Sequence, residues 1–291
     1  MARVWLASYP KCGNTWLRLL LANLGHDESI SRGAPRLAGG IASGRALIDE
    51  ALMFATGLLT HDECDRIRPA VYRHVSELED EAEAVHFADT RFLKTHDAWT
   101  LTDRNEPLLG GAEAARAAVL IVRDPRDVVA SLANHNGKSI DDAVAIMADP
   151  LDMLAGATDR QALQLRQRLL GWSGFNRSWL DQRELPVHLL RYEDMLADTA
   201  GELSRLLDKL GFEIGRDAIG RAVERSSFEA LQAQEAQFGF REAPVKMSEG
   251  RFFRKGRAGG WREELTAAQC ARIEADHAGM MRRLGYLPES G

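Results

Sequence analysis

The chain has 291 residues, 45% of them hydrophobic and 27% charged, ordinary proportions for a globular protein with a sizeable core. Its formal charge of −6 speaks against a general nucleic-acid binder, so any anionic ligand has to be gripped by a local cluster of cations. Three scattered cysteines, Cys12, Cys64 and Cys270, without CxxC spacing are poor material for a disulfide framework or a zinc site. No leader pattern and no apolar run of membrane-spanning length stands out. The expectation is a cytoplasmic protein with no metal, no nucleic-acid partner and no membrane span.

Residues 3–8 read as a buried strand and 14–24 as the helix after it. Residues 25–44 are rich in glycine, proline and serine without a period, and read as a loop. Residues 45–57 and 61–84 are helical in pattern, with Pro69 expected to break the second run. Residues 91–95 are a candidate strand, and 117–122, Ala-Ala-Val-Leu-Ile-Val, are the clearest one. Asp124 and Pro125 then open a helix as N-cap and first-turn proline. A long helix is expected over 159–182, with Leu165, Leu169, Trp172, Phe175 and Trp179 as a core stripe. A strand at 186–192 leads into a helix at 193–210, closed by Gly211. Short helices follow near 217–225 and 227–234, then a basic, glycine-rich stretch at 246–261 and a terminal helix at 266–284. The alternation predicts a single α/β domain over 1–291, with a central parallel sheet flanked by helices. Ligands of such sheets bind beyond the carboxyl ends of the strands, where Lys11, Lys94 and Arg123 fall.

Three segments carry the chemistry. Tyr9-Pro-Lys-Cys-Gly-Asn-Thr-Trp16 joins a strand to a helix through a turn suited to a phosphate or sulfate. The helix start offers unpaired N–H groups, Gly13 permits close approach, Thr15 adds a hydroxyl and Lys11 a charge. A Walker loop would read GxxxxGK[ST], whereas here the lysine precedes the glycine by two positions. In the second segment, Arg123 leaves a strand and Ser131 sits eight residues later, a guanidinium fork with a hydroxyl. The third, residues 251–262, holds five basic residues, no acid and three glycines.

The first segment resembles the YPKSGTTW signature of the sulfotransferases that use 3′-phosphoadenosine 5′-phosphosulfate (PAPS), with Cys12 in place of Ser and Asn14 in place of Thr. Arg123 and Ser131 resemble that family's 3′-phosphate element. Arg254, Lys255, Gly256 and Trp261 resemble its RKGxxGDW segment, with Gly260 where Asp is usual. Leu189-Leu-Arg-Tyr-Glu-Asp194 and Ser226-Ser-Phe228 are similar to its adenosine-side elements. The resemblance implies a P-loop-like three-layer fold and a cofactor site made of Lys11, Cys12, Gly13, Asn14, Thr15, Trp16, Arg123, Ser131, Tyr192, Ser226, Phe228, Arg254, Lys255 and Gly256. It places Trp16 on the adenine and Tyr192 nearby. In Lys94-Thr-His96, similar to the family's KTH element, it makes His96 the base and Lys11 and Lys94 the cations at the leaving oxygen; Asp97 is the alternative base. The other seven histidines read as structural or surface residues.

The implied reaction moves a sulfuryl group from PAPS, with no metal, to a hydroxyl, or as a second choice an amine, of a small-molecule, lipid, glycan or natural-product acceptor. Insertions near 25–84 and 135–158 would choose the acceptor, and the oligomeric state stays open, a homo-oligomer included. Two alternatives stand beside this reading: a nucleotide-dependent small-molecule kinase and a non-catalytic nucleotide-binding protein. Asn136-Gly-Lys-Ser139 reads as a decoy, since the residue five before Gly137 is Leu132.

Overall fold

Val4, Trp5, Leu6 and Ala7 have no solvent-exposed surface, because their strand is the middle of the sheet and is covered on both faces. The structure, a computed structural model, describes residues 2–24, 40–77, 85–87, 90–160, 162–240, 242 and 251–289. Its elements run β1 (Ala2–Ser8), α1 (Asn14–Leu24), α2 (Arg45–Leu52), α3 (His61–Glu77), β2 (Val85–Phe87), β3 (Thr90–Thr95), β4 (Ala117–Val122), α4 (Pro125–Asn136), α5 (Ile140–Ala148), β5 (Met153–Leu154), β6 (Gln167–Arg168), α6 (Gly171–Asp181), β7 (Val187–Arg191), α7 (Tyr192–Ala197), α8 (Thr199–Lys209), α9 (Arg216–Arg225), α10 (Phe228–Phe238), α11 (Trp261–Glu264) and α12 (Ala267–Arg283). The main sheet has the order β2-β3-β1-β4-β7. β3, β1, β4 and β7 are parallel, and β2 pairs antiparallel with β3 at the edge. β5 and β6 form a separate two-stranded ribbon. α1 packs on α9 and α8 on α9 and β7, while α4, α5, α6 and α12 pack together and α6 meets β4. The α/β architecture with a central parallel sheet flanked by helices is therefore as expected. Among the described residues no helix is long and apolar enough to cross a membrane.

Several elements differ from their sequence reading. Pro69 does not break its helix: α3 runs through it to Glu77, held by the buried face of Cys64, Asp65, Arg68, Val71 and Tyr72. The long helix expected over 159–182 begins only at Gly171. Leu170 and Gly171 both take positive φ, 59° and 64°, so no helix can pass through them. A Cβ at Gly171 would lie 2.7 Å from the Met147 carbonyl oxygen. Leu165 and Leu169 are buried as the stripe required, but from extended chain around β6. The helix expected over 193–210 is split at Asp198, whose carboxylate caps α8 by accepting from Gly201 N–H. The decoy at 136–139 has a structural use: Gly137 ends α4 in the left-handed conformation and Ser139 caps α5 in a capping box with Asp142. Residues 25–39, 78–84 and 246–250, parts of the expected loop, helical stretch and basic stretch, lie outside the described residues.

Candidate active site

β1 ends in a turn that reverses direction over Lys11, φ 70°, and Gly13, φ 102°. A Cβ at Gly13 would sit 2.7 Å from the Tyr192 ring, so both φ and space require glycine there. Asn14 explains its own departure from the usual Thr: its amide donates to the Leu6 carbonyl, 2.8 Å, and to Ser8 Oγ, 3.2 Å, tying α1 to the end of β1. Cys12 is a correction to the expected site in one respect. Its side chain is buried in the core, its thiol turned to the Pro10 carbonyl, and it does not line the cavity. Burial pushes that thiol up to about 12, which leaves it inert.

A cavity of about 900 Å³ opens beyond the carboxyl ends of β1, β3 and β4. Every other expected residue lines it: Lys11, Gly13, Asn14, Thr15, Trp16, Lys94, His96, Arg123, Ser131, Tyr192, Ser226, Phe228, Arg254, Lys255 and Gly256. On one side Trp16 and Tyr192 meet edge to face at 5.7 Å between ring centroids, and the Trp16 indole donates to the Ser226 carbonyl, 2.9 Å. Arg123 lies over the Tyr192 ring at 4.3 Å and donates to the Lys11 carbonyl, 3.4 Å, and the Arg257 carbonyl, 3.1 Å. Gly256, φ 59°, abuts the Phe228 ring, which a Cβ would enter at 2.2 Å. The substitution of Gly260 for Asp leaves the loop anchored from elsewhere. Asp127 of α4 accepts from the Gly259 N–H, 2.7 Å, and the Trp261 N–H, 2.9 Å. Arg254 and Lys255 both pair with Glu264, at 2.5 and 2.9 Å.

On the other side lie Lys94 and His96 of the KTH segment. His96 Nδ1 stands 2.6 Å from the Ser8 carbonyl oxygen, which can only accept, so Nδ1 carries the hydrogen and Nε2 keeps a lone pair. Burial, and then the Lys94 charge, push the imidazole down to about 3, so it is neutral at physiological pH. Asp97 is not available as an alternative. It is fully buried and clamped by Arg68 through Nη1–Oδ1, 3.2 Å, and Nη2–Oδ2, 2.5 Å.

The match to known proteins decides the family. A model of the sulfotransferase domain covers residues 2–285. The chain belongs to the sulfotransferase-domain family. It is 27% identical over 183 residues to human sulfotransferase 2B1, covering 60% of this chain and 47% of that protein. It is 30% identical over 168 residues to cytosolic sulfotransferase 16 of Arabidopsis thaliana, covering 54% of this chain and 48% of that protein. These alignments span about half the length of the curated relatives. Among solved structures, retinol dehydratase in complex with retinol and PAP superposes with a TM-score of 0.62 at 20% identity, covering 96% of this chain and 81% of that one. At that identity the likeness is one of fold.

This sulfotransferase domain also places in its cavity three residues that the sequence reading missed: Arg18, His135 and Glu242. His135, one of the histidines read as structural or surface residues, lines the cavity. Its Nδ1 is 3.3 Å from Lys11 Nζ, and Lys11 itself lies 4.3 Å above the Phe252 ring. Burial and the charges of Lys11 and Lys94 bring His135 down to about 4, so it accepts from the lysine. Lys11 is depressed to about 7, first by burial and then by repulsion from Lys94 and Arg123. Apolar residues lining the cavity come from inside and outside the segments 25–84 and 135–158. Ile41 and Leu154 fall in the expected insertions, but Leu132, Leu163, Phe252 and Phe253 come from other segments.

Proposed function

We propose that the protein is a PAPS-dependent sulfotransferase acting on a hydroxyl of an acceptor with an apolar body. One observation carries this reading: a neutral His96 with a free Nε2, two lysines and a separate set of phosphate-type donors face one cavity. Arg123, Ser131, Arg254 and Lys255 would hold the 3′-phosphate, with Glu264 giving up its two cations to it. Trp16, Tyr192, Ser226 and Phe228 would frame the adenosine. Gly13 and Gly256 let the Tyr192 and Phe228 rings pack directly on the backbone of the two loops that would carry the phosphates. PAPS supplies an activated sulfuryl group. His96 Nε2 takes the proton of the acceptor hydroxyl as its oxygen attacks, and Lys11 and Lys94 face the charge that grows on the leaving phosphate oxygen. Ile41, Leu132, Leu154, Leu163, Phe252 and Phe253 give the acceptor side an apolar wall. The whole chain acts as one domain, in the cytoplasm.

The reading is tested by ligand choice. Thermal-shift measurements should show stabilisation by 3′-phosphoadenosine 5′-phosphate (PAP) without magnesium, exceeding that by ATP with magnesium, because ATP leaves the 3′-phosphate donors unfilled. Stabilisation by ATP with magnesium alone would favour the kinase reading.

Lys11 adds a pH signature. Its amine is half charged near pH 7 in the free protein, and an anionic nucleotide raises its pKa. Nucleotide binding at pH 8 should therefore take up a proton, and affinity should fall as pH rises above 7. Calorimetry in buffers of different ionisation enthalpy reads this directly. Lys11→Arg, charged throughout, should lose the uptake; equal uptake in both proteins would assign the titration to another group.

A further inference from the structure

His135 and His96 line the same cavity in opposite tautomers. The Lys11 ammonium can only donate, so His135 Nδ1, 3.3 Å away, accepts from it and the ring hydrogen is left on Nε2. His96 keeps its hydrogen on Nδ1 and its lone pair on Nε2. While it holds a charged Lys11, His135 has its one lone pair engaged and cannot serve as a second base. Its place in the fold is equally definite. It lies in the last turn of α4, four residues after Ser131 and on the same helix face. The ring is half-buried and meets Phe252 edge to face, 6.4 Å between centroids. Phe252 is also the ring under the Lys11 amine, at 4.3 Å. The amine thus has an acceptor on one side and a π face on another, and these two groups brace each other.

Such a clamp answers a problem of charge. Of the charged groups around Lys11, Lys94, Arg123 and Arg254 disfavour its cation and Glu242 favours it. A carboxylate in place of His135 would hold the amine by neutralising it, and would repel phosphate and sulfuryl oxygens as well. An imidazole holds it without a charge of its own, because burial and the charges of Lys11 and Lys94 keep His135 neutral. The full charge of the lysine then stays available to an anion. We propose that His135 is a positioning residue for Lys11: its Nδ1 takes one ammonium N–H and, with the Phe252 ring, aims the rest of the cation at the leaving phosphate oxygen. The proposal rests on the PAPS reading above, which turns Lys11 toward that oxygen.

The test is calorimetric titration of PAP, from mildly acidic to mildly alkaline pH and in buffers of different ionisation enthalpy, into wild type, His135→Leu and His135→Asn. Asn presents an amide oxygen near the place of Nδ1, whereas Leu, of nearly the same shape, presents no acceptor. His135 and His96, at about 4 and about 3, stay neutral throughout this range. Half-maximal proton uptake should lie near pH 7 in wild type, where the Lys11 amine is half charged. Losing the acceptor favours the neutral amine, so in His135→Leu that midpoint should move down by about one unit, a roughly tenfold loss of proton affinity. His135→Asn should stay within about half a unit of wild type, and melting temperatures check that both variants fold. Lys11→Arg/His135→Leu should take up no proton. A His135→Leu profile like that of wild type, or a His135→Asn profile displaced as far as that of His135→Leu, would overturn the hold on Lys11. Uptake that persists in Lys11→Arg/His135→Leu would give the titration to another group and overturn it too. Failure of the wild type to bind PAP at all would instead overturn the donor reading itself, and this proposal with it.

Discussion

His96→Ala should lower turnover by roughly 10²–10⁴-fold, while affinity for PAP stays close to that of the wild type. The size follows from the role: removing the base leaves the acceptor proton without a positioned destination, and no phosphate contact is lost. The geometry sharpens the expectation beyond what a histidine in a motif supplies. Nδ1–H is fixed on the Ser8 carbonyl, so the ring has one tautomer, and its basic nitrogen is already oriented before the acceptor arrives. The depressed pKa of about 3 also sets the sign of the pH dependence. His96 stays neutral as pH falls from 8 to 5, so kcat/KM should show no acidic limb near 6.5, the ordinary histidine value. Activity should decline instead on the alkaline side, as Lys11 loses its charge above pH 7. An acidic limb at 6.5 that vanishes in His96→Ala would contradict the buried, neutral imidazole. Full activity of His96→Asn toward an aliphatic alcohol would remove the base assignment.

Lys11→Ala should fall on turnover too, by a factor on the order of 10²–10³, the usual cost of losing one preorganised donor at a developing charge. Lys11 is held in place from two sides, by His135 at 3.3 Å and by the Phe252 ring at 4.3 Å, in a turn whose φ of 70° is itself an uncommon conformation for lysine. Its cation therefore needs little rearrangement when charge moves to the leaving oxygen. Arg254→Ala should behave differently. A 3′-phosphate carries the same charge in ground and transition state, so its loss should weaken PAP binding roughly tenfold to a hundredfold and leave saturated turnover nearly intact. Steady-state kinetics at saturating donor, beside calorimetry with PAP, separates the two. A Lys11→Ala variant with wild-type kcat and only a raised KM would move Lys11 from the reacting end to ground-state binding.

The strands and the anion turn could be read from sequence because each is a local signal. β4 is a six-residue apolar run, Asp124 and Pro125 after it cap and open α4, and α1 follows a turn whose proline and glycine mark it plainly. The expected helix over 159–182 failed because Leu165 and Leu169 have helical spacing to Trp172 while being buried from extended chain. The decisive feature is left-handed Leu170 and Gly171, where a Cβ on residue 171 would meet the carbonyl of Met147, a neighbour outside the local sequence pattern. α3 passes through Pro69 for a similar reason: the buried Arg68–Asp97 pair and the Tyr72 hydroxyl hold the helix on both sides of the proline. Nearly all of the motif residues converge on one cavity, but their partners were silent. Arg18 follows Thr15 by three positions and shares its helix face, a spacing that could have drawn attention to it. His135 follows Ser131 by four, with the same logic. Glu242 belongs to no motif, and its place in the cavity shows only through its contacts with Thr15, Arg18 and Lys94.

The most direct measurement is transfer itself. The protein would be incubated with PAPS labelled in its sulfuryl group and a panel of apolar phenols and alcohols, without metal, and the products followed by mass spectrometry and nucleotide chromatography. At least one acceptor should gain the label in equal amount to the PAP released, and the His96→Ala protein should transfer it roughly 10²–10⁴-fold more slowly. Labelled acceptor formed equally well by wild type and His96→Ala, or a protein that binds PAP tightly but leaves PAPS intact with every hydroxylated acceptor, would contradict this reading.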